Sequence, residues 1–135
     1  MMHGYSLSAN LPEDFGLGER FWYWRGASGQ AYIHSIYAHD HCPPVPGAVF
    51  VIVRGVGGVR TAVEIGRFGE DGARPSGGLQ TTAGDEIHVH LLARDGEAAE
   101  RVLRDLAAAH AEDAAPRRPE AKAWRKAVQL ELLAA

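Results

Sequence analysis

Ala48-Val49-Phe50-Val51-Ile52-Val53-Arg54-Gly55-Val56-Gly57-Gly58-Val59-Arg60-Thr61-Ala62-Val63-Glu64-Ile65-Gly66 is the stretch on which the fold turns. Its first six residues are apolar at every position, the pattern of a strand covered on both faces. Gly55, Gly57 and Gly58 then offer the backbone freedom of a tight turn. After the turn, Val59, Thr61, Val63 and Ile65 point one way by strict alternation, and Arg60 and Glu64 the other. The stretch therefore reads as an antiparallel hairpin with a central first strand.

Upstream, His41-Cys42-Pro43-Pro44-Val45-Pro46-Gly47 can continue neither a strand nor a helix, because its prolines remove amide donors and restrict the residues before them. Before this connector lie two strand-like runs, Phe21-Trp22-Tyr23-Trp24 and Ala31 to Tyr37, separated by Gly26-Ala27-Ser28-Gly29. They predict a first hairpin, with Tyr32, His34 and Ile36 on one face of its second strand and Ile33, Ser35 and Tyr37 on the other. Residues 1–20 show no sustained period and read as an irregular N-terminal arm.

Downstream, residues 67–85 carry Gly69, Gly72, Pro75, Gly77, Gly78 and Gly84 and read as a flexible surface loop. Glu86-Ile87-His88-Val89-His90-Leu91 alternates, which predicts a further strand with Ile87, Val89 and Leu91 toward the core and Glu86, His88 and His90 away from it. Asp95 suits the cap of a helix, and Glu97 its positive end. Ala99, Val102, Leu103, Leu106 and Ala109 or His110 then fall at helical spacing. Pro116 and Pro119 break that helix and open another through Leu133, striped by Trp124, Ala127, Val128 and Leu132.

The fold class expected is α+β: a mainly antiparallel sheet of about five strands, two hairpins plus one strand, with two C-terminal helices. One domain spans 1–135, divided into the arm at 1–20, the sheet and first helix at 21–115, and the last helix at 116–135. A chain of 135 residues with 46% hydrophobic and 23% charged residues has the composition of a globular protein, and no apolar run reaches the ~18 residues of a membrane span. The start of the chain lacks the basic and apolar regions of a secretory signal, and Cys42 is the one cysteine, so the expected address is cytoplasmic. Usage rich in Ala, Gly and Arg suits a GC-rich bacterial genome. A net charge of −3 with interspersed signs gives no global field for nucleic acid; the cluster Arg117, Arg118, Lys122, Arg125 and Lys126 is the local exception.

Three residue sets could carry function. His34, His39, His41, His88, His90 and Cys42 are the available nitrogen and sulfur ligands, and His88 with His90, two apart on a strand, project from one face toward a common cation. Asp40, Cys42 or Glu86 could complete such a divalent transition-metal site. The outward Arg60, Glu64, Glu86, His88 and His90 would make one polar patch able to move protons if their strands are neighbours. Trp22, Trp24 and Tyr32 with Arg25 offer stacking surfaces and an anion partner for a ligand, with one of the two tryptophans in the core and the other at its edge. No phosphate-loop or nucleophile-elbow motif is present.

Residues 47–110 resemble the GIY-YIG nuclease domain on two motifs, Gly47-Ala48-Val49-Phe50 and Glu64-Ile65-Gly66-Arg67, in the family's order of hairpin, loop, strand and helix. The resemblance implies catalytic candidates at Glu64 and Arg67, with Arg74 standing for the family's arginine. Both name tyrosines are replaced, by Phe50 and Glu64, and Leu103 falls near the place of the metal-binding glutamate. It therefore implies a catalytically degenerate relative. The leading expectation is a binding or interaction domain without a cofactor, acting through a protein partner or self-association. The alternatives are a metal-assisted hydrolase or degenerate nuclease using Glu64, Arg67, His88 and His90, and a nucleic-acid-binding module.

Overall fold

The computed structural model describes residues 2–6, 20–93 and 95–114. Its elements are β1 (Gly4–Ser6), β2 (Phe21–Arg25), β3 (Ala31–Ala38), β4 (Val49–Val56), β5 (Val59–Arg67), β6 (Glu86–His90) and α1 (Gly96–Ala114). The strands form one sheet in the order β1-β2-β3-β6-β4-β5, every pairing antiparallel. The α+β class and both expected hairpins stand. The strand count rises from five to six because Gly4–Ser6, inside the expected irregular arm, pairs with Trp22–Trp24 at the sheet edge. The second C-terminal helix, at 116–135, falls outside the described residues.

The β4–β5 turn follows from its glycines. Gly57 (φ 59°) and Gly58 (φ 79°) both adopt the left-handed backbone that a two-residue hairpin turn demands, and they close Val56 on Val59. Further along, Ile52 pairs with Glu64 but Val53 pairs with Ala62, so Val63 is an extra residue, a β-bulge. The bulge corrects the expected alternation. Ala62 and Ile65 pack on the helix side and Val63 on the opposite side, which leaves Arg60 and Glu64 on different faces.

Two cores sandwich the sheet. On the helix side Trp24, Val49, Val51, Val53 and Ala62 meet Ala99, Val102, Leu106 and Ala109 of α1, the expected helical stripe. On the other side Phe50, Ile52, Ile87 and Val89 are covered by Val45, Ala48 and Phe68 from the flanking segments. Each fully buried aliphatic side chain here contributes about 1.5–3 kcal/mol relative to exposure. The helix starts where expected: the Asp95 carboxylate accepts from the amide of Ala98 at 2.9 Å. Among the described residues no helix is long and apolar enough to cross a membrane.

The sheet is strongly curled. β2 and β5 are separated by three strands, yet α1 touches both, and the Arg60 guanidinium lies 4.7 Å from the Trp22 ring. The amide of Met2 donates to Asp113, tying the β1 end to the last turn of α1. The stretch between β5 and β6 is irregular as expected, but anchored: the Glu64 carboxylate accepts from Arg74 (3.2 Å) and the amide of Leu79 (3.1 Å). At its end Arg54 grips buried Asp85 with two hydrogen bonds of 3.0 and 3.1 Å. That grip, with the Thr82 amide, draws the Asp85 carboxyl down to about 2 against the effect of burial.

Candidate functional site

β6 decides the chemistry of the inner face. Because it lies between β3 and β4 with both sides covered, its alternation separates two buried faces rather than core from solvent. Glu86, His88 and His90 do share a face, but that face is the concave one under α1, which corrects their expected outward orientation. His88 is 0% exposed and His90 5%. Leu91, expected in the core, lies past the strand end and is 39% exposed.

Hydrogen bonds fix the state of His88. The indole N–H of Trp24 can only donate, and it lies 2.9 Å from His88 Nδ1, so that nitrogen is the acceptor. The neutral ring then carries its hydrogen on Nε2 and gives it to Glu86 Oε1 at 3.0 Å. Burial lowers the His88 pKa although the neighbouring carboxylate opposes this. Arg60 closes the chain, donating through Nε to Oε1 (2.8 Å) and Nη2 to Oε2 (3.2 Å) of Glu86. The His88 N–H first, and Arg60 after it, draw the Glu86 carboxyl down to about 2. A relay thus runs from Trp24 through His88 and Glu86 to Arg60, which rests on Trp22.

The remaining inner-face histidines are held differently. His34, 1% exposed, points Nδ1 at the Tyr32 carbonyl (2.9 Å), and His90 points Nδ1 at the Ile33 carbonyl (2.6 Å). A carbonyl only accepts, so both rings carry a hydrogen on Nδ1 and, when neutral, a lone pair on Nε2. His34 Nε2 is buried with no hydrogen-bond partner among the described residues, and burial pushes the His34 pKa down to about 3. The His34 and His90 rings stand 5.4 Å apart, centroid to centroid, at 44°.

The other expected site residues are dispersed. Glu64 lies on the opposite face, bound to Arg74, while Arg67 reaches from β5 to the Gly47 carbonyl (2.7 Å) and Glu100 (3.2 Å). The two motif segments do lie side by side, Phe50 opposite Gly66. Among the described residues no three His, Cys, Asp or Glu side chains gather around a cation position, and both nitrogens of His88 are already engaged. Cys42 packs on the far side of the sheet, its thiol pushed up by burial, and Asp40 is occupied by His41 at 2.6 Å.

The aromatic hairpin divides as expected for its tryptophans. Trp24 is 1% exposed in the core, and Trp22 is half-buried at the edge. Arg25 is exposed, 5.6 Å from the Tyr5 ring, which itself stacks on Tyr23 at 5.0 Å. Tyr32 donates to Asp105 of α1 (2.7 Å), an acceptor shared with the Ser28 amide and hydroxyl. Burial, with this carboxylate beside it, pushes the Tyr32 phenol up to about 12.

Two clefts open from the inner face. One, of about 600 Å³, lies between β1, Trp22 and the β4–β5 turn, lined by Met2, His3, Gly4, Trp22, Gly58, Val59 and Arg60. The other, of about 510 Å³, lies where β6 ends short of β3 and is walled by Tyr32, His90, Leu92 and Arg101 among others. Arg60, which alternation placed with Glu64 in an outer polar patch, is carried instead into the first cleft beside Trp22 by the bulge and the curl. No family model, curated protein or solved structure matches the chain significantly.

Proposed function

We propose that the chain is a binding domain without an assembled catalytic set, and that its ligand sits in the cleft between β1 and the β4–β5 turn. One observation carries this reading: the Arg60 guanidinium is fixed by both oxygens of Glu86 and laid over Trp22 at 4.7 Å. Glu86 cancels the net charge of the arginine and holds its plane in place, while Nη1 takes no part in that pair. The rest of the lining, Met2, His3, Gly4, Trp22, Gly58 and Val59, is largely apolar, in keeping with a small-molecule site. Such a site suits a flat ligand with an apolar body and an acceptor atom at its edge. The ligand-binding set expected from the hairpin narrows in this reading to Trp22, with Arg60 added.

The test is a fluorescence titration with 8-anilinonaphthalene-1-sulfonate, a flat probe with one anionic acceptor group. Single-site binding that quenches tryptophan emission is expected. Val59→Trp fills the cleft from a half-exposed position and weakens binding by about tenfold or more, as does Arg60→Ala. Probe affinity unaltered in Val59→Trp overturns the assignment.

A further inference from the structure

We propose that His34 and His90 form a two-imidazole site for a monovalent soft cation, cuprous copper, on the concave face of the sheet. The site is separate from the Trp22–Arg60 cleft. Three observations support it. First, each ring donates its Nδ1 hydrogen to a backbone carbonyl, of Tyr32 and of Ile33. That outer bond fixes tautomer and orientation in metal-ligating histidines and presents Nε2 as the ligand atom. Second, His34 Nε2 is a buried acceptor with no partner among the described residues, although an unmade hydrogen bond of this kind costs about 1–3 kcal/mol. A cation there would satisfy it. Third, the rings are 5.4 Å apart, within the span of two imidazoles bridged by one ion at about 2.0 Å from each nitrogen.

The surroundings select the charge. The Nδ1 hydrogen that His34 gives to the Tyr32 carbonyl leaves the lone pair of the neutral ring on Nε2. Among the described residues no carboxylate hydrogen-bonds to either ring, and Arg101 adds positive charge to the cleft that His90 lines. A divalent ion would stay undercoordinated and its second charge uncompensated in this interior. Cuprous copper carries one charge and accepts two nitrogen ligands. The cleft beside His90 is the entry path, and His88 is excluded because Trp24 and Glu86 use both of its nitrogens.

The experiment uses the intact, ¹⁵N-labelled wild-type chain, so no variant need fold. Under anaerobic conditions acetonitrile-stabilised Cu(I) is added to one equivalent, and the ring nitrogens are followed by long-range ¹H–¹⁵N correlation. Expected are shifts of Nε2 in His34 and His90 with little change in His88. In competition with bicinchoninate, His90→Gln, at the rim, weakens retention by at least about 100-fold, the upper end of losses seen when even an outer-shell partner is removed. Shifts confined to His3, His39 or His41, or no binding, overturn the proposal. Zinc held by the same two rings in preference to copper overturns the charge argument and with it the assignment.

Discussion

Substituting His34 by Phe should change how the protein responds to acid more than how stable it is at neutrality. The wild-type imidazole is neutral in the fold, its pKa pushed down to about 3 by burial and by the facing imidazoles of His90 and His88, against an ordinary value of 6.5. Below pH 6.5 the unfolded chain takes up a proton that the folded one refuses, so stability falls as pH falls and is fully retained only above that value. At 1.36 kcal/mol per pH unit, His34 costs about 2 kcal/mol at pH 5 and about 3 at pH 4. His88, also lowered, acts with the same sign, and Glu86 and Asp85 join only below their ordinary carboxylate values. These groups are common to both proteins, so the difference between them isolates His34. At pH 7 the ring swap loses one hydrogen bond to the Tyr32 carbonyl and removes one orphaned nitrogen, a near balance of about 1 kcal/mol either way. Urea unfolding followed by tryptophan emission at pH 7, 6, 5 and 4 should show the variant overtaking the wild type on acidification. Parallel curves would mean that His34 is protonated or solvated in the fold, and the tautomer argument would fail.

Asp105→Asn should release the Tyr32 phenol from a full negative charge, lowering its pKa from about 12 toward the ordinary 10, seen as earlier phenolate absorbance in an alkaline titration; no movement would place the whole shift on burial. Gly66→Ala should destabilise by about 1–3 kcal/mol, because its Cβ would lie 2.6 Å from the Phe50 ring, and a melting point equal to wild type would show that the ring gives way freely.

The sequence made the β4–β5 hairpin legible because a continuous apolar run and a glycine pair are local signals that need no partner. It did not reveal the bulge at Val63: alternation assumes one residue per ladder position, and the extra residue reverses every face assignment beyond it. β1 escaped notice because three residues carry no period. The same locality explains the site. Glu86, His88 and His90 were legible as one face of a strand, but polar residues at every second place look the same whether that face meets water or a second buried layer. His34 was legible only as one of several available ligands, since its pairing with His90 depends on β6 inserting beside β3, more than fifty residues away in sequence.

That insertion also explains why so polar a layer persists under the helix. A central strand placed between β3 and β4 buries every second side chain beneath α1, and aliphatic residues there would enlarge the apolar core without any orphaned nitrogen. Instead the layer holds a carboxylate, an arginine and three imidazoles. For Glu86, Arg60 and His88 the hydrogen bonds are mutual and specify geometry: together they fix the rotation of Trp24, the plane of Arg60 and hence the wall of the cleft at Trp22. For His34 and His90 the bonds run to backbone carbonyls, and the buried Nε2 of His34 has no partner among the described residues. The first group is accounted for by positioning. The second has a buried lone pair that positioning does not use, and it is on that difference that the two-imidazole site rests.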